Sequence, residues 1–254
     1  MSAQFYVAQT KHKVDAIRRR LIDLGMFQDV DTAIAIEDFA SMAGECSVIR
    51  IPSLTERRGL LYLAELFGLT IGDHVPSDTP LAGALCVADN ARHRWILVRE
   101  EDIPRRQRFT IAHELGHLFL EVESITHNAD QHSLAFGGEA NAGATVRMFS
   151  RCATIGETSS EMSQVRRKPL SDAELLEVKA DHFASELLMP YDGVIQLVRE
   201  VGGTTGIRDE RTLNRLVAVL SSRYDVSLAA AERRVKKDLG IVPVGKHPNH
   251  DLFA

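Results

Sequence analysis

The sequence predicts an α+β fold that is mainly helical, with a small β-sheet packed against one strongly apolar helix. Three observations lead there. Apolar residues recur at helical spacing in several separate stretches. Two short apolar runs, Leu81–Val87 and Arg94–Val98, flank a polar link and read as a hairpin. After them comes FTIAHELGHLFLEV, whose apolar positions Phe109, Ile111, Leu115, Leu118, Phe119 and Val122 suit a helix buried on much of its circumference.

The first third reads as mostly helical. Val14, Ile17, Leu21 and Leu24 fall on one face among basic residues, and Gly25 ends the pattern. A second helix is expected from about Asp31 to Ala43. A third, after Ser53, carries Leu60, Leu61, Ala64 and Phe67 and stops at Gly68. After the hairpin and the FTIAHELGHLFLEV helix, residues Ser124–Leu170 show no sustained period, and their Ser, Gly, Asn, Thr and Ala content predicts a mobile insertion. Ser171 and Glu174 stand in capping-box register and open a helix expected to reach Leu188, ended with the help of Pro190. Two more helices are expected at about Asp209–Arg223 and Ser227–Leu239. The domain reading is a helical region at 1–53, a core at 54–200 containing the insertion at 124–170, and a C-terminal helix pair and tail at 201–254.

Composition narrows the function. The chain's 254 residues are enough for a sizeable core without staples. Thirty Lys+Arg against 35 Asp+Glu leave a net charge of -5, which argues against a dedicated nucleic-acid binder. Cys46, Cys86 and Cys152 form no CxxC pair and no disulfide framework, which favours a reducing compartment. The N-terminal stretch lacks the apolar core of a signal peptide, and no run approaches the ~20 apolar residues of a membrane span. A cytoplasmic location with no membrane partner is the expectation.

One motif carries chemistry. His113-Glu114-Leu115-Gly116-His117 is H-E-x-x-H. On a helix, residues four apart lie one turn above the other on one face, so two imidazoles there can reach one metal ion. Zinc would lower the pKa of a water on that ion, and Glu114 can take its proton. By chance the motif would occur in roughly 1 of 100 chains of this length. Its place in a strongly helical, apolar segment is what the chemistry requires.

A catalytic zinc needs a third protein ligand and one open position. A third ligand six residues past His117 would be Glu123, but the turn glycine that such a ligand needs is replaced by Leu120, so the helix continues and carries Glu123 away. His127 and His132 lie in the unpatterned stretch, where a histidine is ordinarily solvated. Glu177, on the helix opened by Ser171, is the better candidate; otherwise it is a solvated helix carboxylate. Asp181 is one turn further along and can accept the free ring N–H of a ligating histidine. His182 points elsewhere and is expected to be packed or exposed.

These residues resemble a known family. Arg106–Leu118 reads R-x-R-F-T-x-A-H-E-L-G-H-L, and Glu177–Pro190 reads E-x-x-A-D-x-F-A-x-x-L-L-M-P. Two separated motifs, matched in type and order, are similar to those of the ImmA/IrrE metallopeptidases, and the likeness extends over roughly Leu54–Leu239. It implies a gluzincin-like zinc peptidase core. It also implies that His113, His117 and Glu177 bind zinc, with manganese an alternative, and that Glu114 is the base. The sequence departs from the family at Lys179, where another glutamate is common, and in the length of the segment between the motifs. Members of this family cleave helix-turn-helix repressors to derepress stress or mobile-element genes, so the expected partner is such a repressor.

A competing expectation is a DNA-binding or regulatory protein whose metal is not catalytic. The last two helices have helix-turn-helix proportions, and Arg208–Gly240 holds eight Lys/Arg against five Asp/Glu. Glu114 separates the readings, because a structural zinc needs no base and is usually closed by four protein ligands. In the enzyme reading, Arg94–Val98 is expected at the cleft edge, offering main-chain hydrogen bonds to an extended peptide.

Overall fold

The computed structural model describes residues 3–25, 33–71, 75–88, 93–122, 145–153, 171–203 and 206–243. The fold is α+β and mainly helical, with one small mixed sheet, as expected. The chain divides into two compact units, Ala35–Asp181 and the discontinuous pair Met1–Ile34 with His182–Ala254. This division does not follow the three consecutive regions read from the sequence. No described helix is long and apolar enough to cross a membrane.

The Ala35–Asp181 unit runs α1 (Ile36–Gly44), β1 (Cys46–Ile51), α2 (Glu56–Phe67), β2 (Thr70–Ile71), β3 (Leu81–Ala88), β4 (Arg94–Arg99), α3 (Pro104–His117), β5 (Thr145–Ala153) and the start of α4 (Asp172–Leu188). The five strands lie in the order β1-β4-β3-β5-β2. The hairpin is present, with β3 antiparallel to β4. All eight residues of β3 are buried, because helices cover both faces of the sheet. Side chains alternate across a strand. Ala84, Cys86 and Ala88 therefore join Trp95, Leu97, Leu60 and Leu63 in one core layer. The other face meets α3, which packs on β3, β4 and β5.

Three expectations change here. The first third, expected to be mostly helical, also contains the strand Cys46–Ile51, which pairs parallel with β4. That pairing puts β4 between β1 and β3, so Arg94–Val98 is an interior strand and not a cleft edge. Both of its main-chain sides are already hydrogen bonded. Inside the stretch read as a mobile insertion, Thr145–Ala153 is a nine-residue strand paired antiparallel with β3. The flanking parts of that stretch, 123–144 and 154–170, lie outside the described residues.

Local chemistry sets the helix ends. Thr55 caps α2 by accepting from the Arg58 N–H, and Gly68 closes it with φ +64°, a backbone conformation that glycine adopts without strain. Pro104 starts α3, where a missing N–H costs nothing. Gln107 ties that start to the end of β4, donating to the carbonyls of Arg99 and Glu100 at 3.0 Å each.

Gly83 decides how closely α3 approaches the sheet. A Cβ there would stand 2.2 Å from Thr110 Cγ2 and 3.0 Å from the Leu97 carbonyl oxygen. The carbonyl belongs to a paired strand and cannot yield cheaply. Gly83→Ala should therefore push α3 outward and destabilise the protein by about 1–3 kcal/mol, the usual cost of overpacking. Thermal denaturation checks this, and an unchanged melting temperature would mean that α3 does not press on β3.

The second unit contains α5 (Ala3–Asp23), the remainder of α4 from His182, α6 (Tyr191–Gly202), α7 (Glu210–Arg223) and α8 (Leu228–Arg233), which continues as a π-helical turn at Arg234–Asp238. Asp209 and Ser227 cap α7 and α8, accepting from the Thr212 and Ala230 N–H groups. Helix α6 was not anticipated. The interior of this unit holds an enclosed ion pair between Arg234 and Glu186. Arg234 also donates to the Met189 carbonyl at 3.1 Å, and Glu186 accepts from the Tyr191 N–H at 2.9 Å. With these further hydrogen bonds, the pair can be held away from water.

Candidate metal centre

Helix α3 supplies two imidazoles on one face. His113 and His117 are both buried, with ring centroids 4.8 Å apart and planes inclined at 72°. Their Nε2 atoms lie 3.1 Å apart. The capping box at Ser171 forms as expected, the Ser171 N–H and hydroxyl both donating to Glu174 at 2.8 Å. It starts α4, which carries Glu177 to the same point. Glu177 Oε2 is 3.3 Å from His113 Nε2, and Oε1 is 3.5 Å from His117 Nε2. Among the described residues, His113, His117 and Glu177 form a group able to hold an ion, their ligand atoms all within 4.8 Å of one another. The two histidines are enclosed, while half of the Glu177 side chain faces solvent.

The opposite ring nitrogens are also engaged. His113 Nδ1 lies 3.0 Å from Asp181 Oδ1. His117 Nδ1 meets the Glu121 carboxylate. A carboxylate accepting the Nδ1–H fixes the tautomer in which Nε2 carries a lone pair, and it orients the ring. Burial opposes a charge on His113, but Asp181 and Glu177, with the charge of Glu114, push its pKa up to about 10. Burial likewise opposes a charge on Glu177, but His113 and His117 hold its carboxyl below the ordinary range. The centre thus selects strongly for positive charge. Two imidazole nitrogens and an ionised carboxylate suit zinc or manganese, so the residues present fit a divalent ion.

Glu114 is completely buried beside these ligands. Its Oε1 would be 3.5 Å from a Cβ on Gly83, an ordinary contact distance that sets the carboxylate against β3. His182 does not join the group. Its Nδ1 lies 3.4 Å from Asp238 Oδ1, a packed position. Glu123, His127 and His132 lie outside the described residues.

Sequence reasoning missed Glu121. The helix does continue past His117, as expected, but as a π-helical turn over Leu118–Val122, and this turn carries Glu121. Its i+4 spacing from His117 repeats that of Asp181 from Glu177 and was the available signal. Glu121→Ala should weaken metal binding about 10–100-fold while leaving the three ligand side chains in place. Competition with a chelator measures this, and undiminished affinity would exclude a role for Glu121 in orienting His117.

No curated protein matches the chain. Among solved structures, a Mycobacterium tuberculosis transcriptional regulator matches at 11% identity with a TM-score of 0.41, over 92% of this chain and 49% of that one. The chain thus spans about half the length of that protein. Residues 55–143, including the HExxH helix, match the model of the IrrE N-terminal-like domain, Peptidase M78. Glu177 and Asp181 lie beyond the matched residues. Residues 55–143 are thus similar to that domain, a likeness that supports the ImmA/IrrE family and a metallopeptidase-type role.

Proposed function

We propose that the protein is a zinc-dependent endopeptidase, manganese being the alternative ion, that cleaves a helix-turn-helix repressor. The observation that carries this reading is the meeting of two buried Nε2 atoms and a half-exposed carboxylate beside the buried Glu114. His113, His117 and Glu177 would hold the ion, with Asp181 and Glu121 orienting the two rings. A bound divalent ion supplies Lewis acidity, polarising a carbonyl and making water acidic enough to lose a proton near neutral pH. Glu114 accepts that proton and returns it to the departing amine, a general base turned general acid. Its burial next to the cationic site keeps it close to the reacting atoms and away from bulk water. Three protein donors would leave a position for substrate and water, whereas a structural zinc is usually closed by four.

The substrate must present an extended segment, since a helix hides its carbonyls in its own hydrogen bonds. A repressor linker or a marginal helix that opens locally meets this need. The net charge of -5 suits a basic partner at modest salt. The DNA-binding alternative gains little from the terminal helices. Lys236, one of the eight Lys/Arg between Arg208 and Gly240, is held by Glu232 at 2.7 Å and Glu210 at 3.4 Å.

The test is to mix metal-loaded protein with a helix-turn-helix repressor encoded beside it and to map products by mass spectrometry. One or a few cuts between the DNA-binding and dimerisation regions are expected. Scattered cuts in unrelated unfolded proteins would point to a general peptidase. Absence of cleavage with every metal, together with operator binding by this chain alone, would favour the alternative.

A further inference from the structure

Helix α2 is amphipathic in the wrong sense on its outer side. Its inner face buries Glu56, Gly59, Leu60 and Leu63. The side turned from a core is ordinarily polar. Here it carries Leu61 and Tyr62, 52% and 43% exposed, with Leu66 at 56% one turn beyond Tyr62. With Phe67, this one helix holds four of the nine large hydrophobics exposed among the described residues. Such concentration marks an interaction surface, whereas scattered exposed leucines need no explanation.

Charge indicates the occupant. At about 100° per residue, Arg58, Leu61, Tyr62 and Glu65 fall within an arc of roughly 100°. The stripe therefore reads basic, apolar, apolar, acidic along the helix, with Leu61 and Tyr62 midway between Arg58 and Glu65. Two such stripes laid antiparallel complement each other. Arg58 faces the partner's Glu65 at both ends, and Leu61 meets the partner's Tyr62 in the middle. A parallel pairing would set Arg58 against an identical arginine. Arg58 spends one nitrogen on the Pro52 carbonyl at 2.8 Å, and a guanidinium has further donors. Arg57, just off the stripe, is already paired with Asp78 at 3.0 Å.

We propose that the outer face of α2 is a homodimer interface, in which two copies of this chain pair antiparallel about a twofold axis passing between Leu61 and Tyr62. Such an interface is isologous, so each contact occurs twice. Neither the metal centre nor the peptidase reading enters this proposal.

Sedimentation velocity of the full chain over a range of concentrations tests it. Wild type should show a monomer–dimer equilibrium, and Leu61→Asp should be monomeric over the same range. Arg58→Glu creates two like-charge contacts per dimer and should weaken association roughly tenfold or more. Adding Glu65→Arg to it should restore the wild-type constant, which holds the test open should Leu61→Asp fold poorly. A monomeric wild type, a dimer indifferent to Leu61→Asp, or a double reversal no better than the single one would overturn the proposal.

Discussion

Glu114→Gln should retain the metal ion and the fold, yet lower cleavage of a repressor by about 10²–10⁴-fold, the usual contribution of a general base. Glutamine has nearly the same shape as glutamate, so it fits the fully buried place against Gly83 and the sheet. What it lacks is the ability to accept a proton from water and pass it on. The carboxylate is not one of the three convergent ligands, so metal content should be equal in both proteins. Initial cleavage rates measured with metal content separate the two effects. Unchanged rates would eliminate the role of Glu114 as base, whereas loss of the ion would make it a ligand instead.

The second large effect is on the ion itself. Binding of about 10–16 kcal/mol at a four-ligand zinc site amounts to roughly 3 kcal/mol per ligand. Replacing His113, His117 or Glu177 with alanine should therefore weaken affinity by at least ~100-fold. His113→Ala should be the most damaging of the three. It removes one Nε2 donor and also the ring nitrogen that lies 3.0 Å from the Asp181 carboxylate. Calorimetric titration of each variant measures this. Full affinity in Glu177→Ala together with loss in Glu123→Ala would show that the third ligand is misassigned.

Much of this centre is legible in the sequence because its signals are local. The two histidines sit one helical turn apart, and the capping box at Ser171 and Glu174 fixes where the second helix starts and so where Glu177 falls. The hairpin Leu81–Arg99 is local too, since its strands follow one another. What escaped depends on partners distant in the chain. The strand Cys46–Ile51 has a weak burial alternation and finds its parallel partner at Arg94–Arg99. Without that partner in view, β4 looks like an edge. Strand Thr145–Ala153 is stabilised by β3, some sixty residues earlier, and it contributes Val146 and Met148 to the core. Its short apolar alternation was lost among the polar residues around it. Helix α6 carries Val194 and Leu197 on its buried side, but its start directly after Pro190 reads as the end of the preceding helix. Glu121 was missed for another reason. Its i+4 spacing from His117 was a signal, but the π-helical turn that carries it is not announced by the sequence.

The most direct measurement is a crystal structure of the zinc-loaded protein with anomalous scattering recorded at the zinc edge. The account predicts a single ion coordinated by His113 Nε2, His117 Nε2 and a Glu177 oxygen, at the ~2.0–2.2 Å typical of such bonds, with no fourth protein ligand. An ion closed by four protein side chains, or one placed away from Glu177, would contradict it.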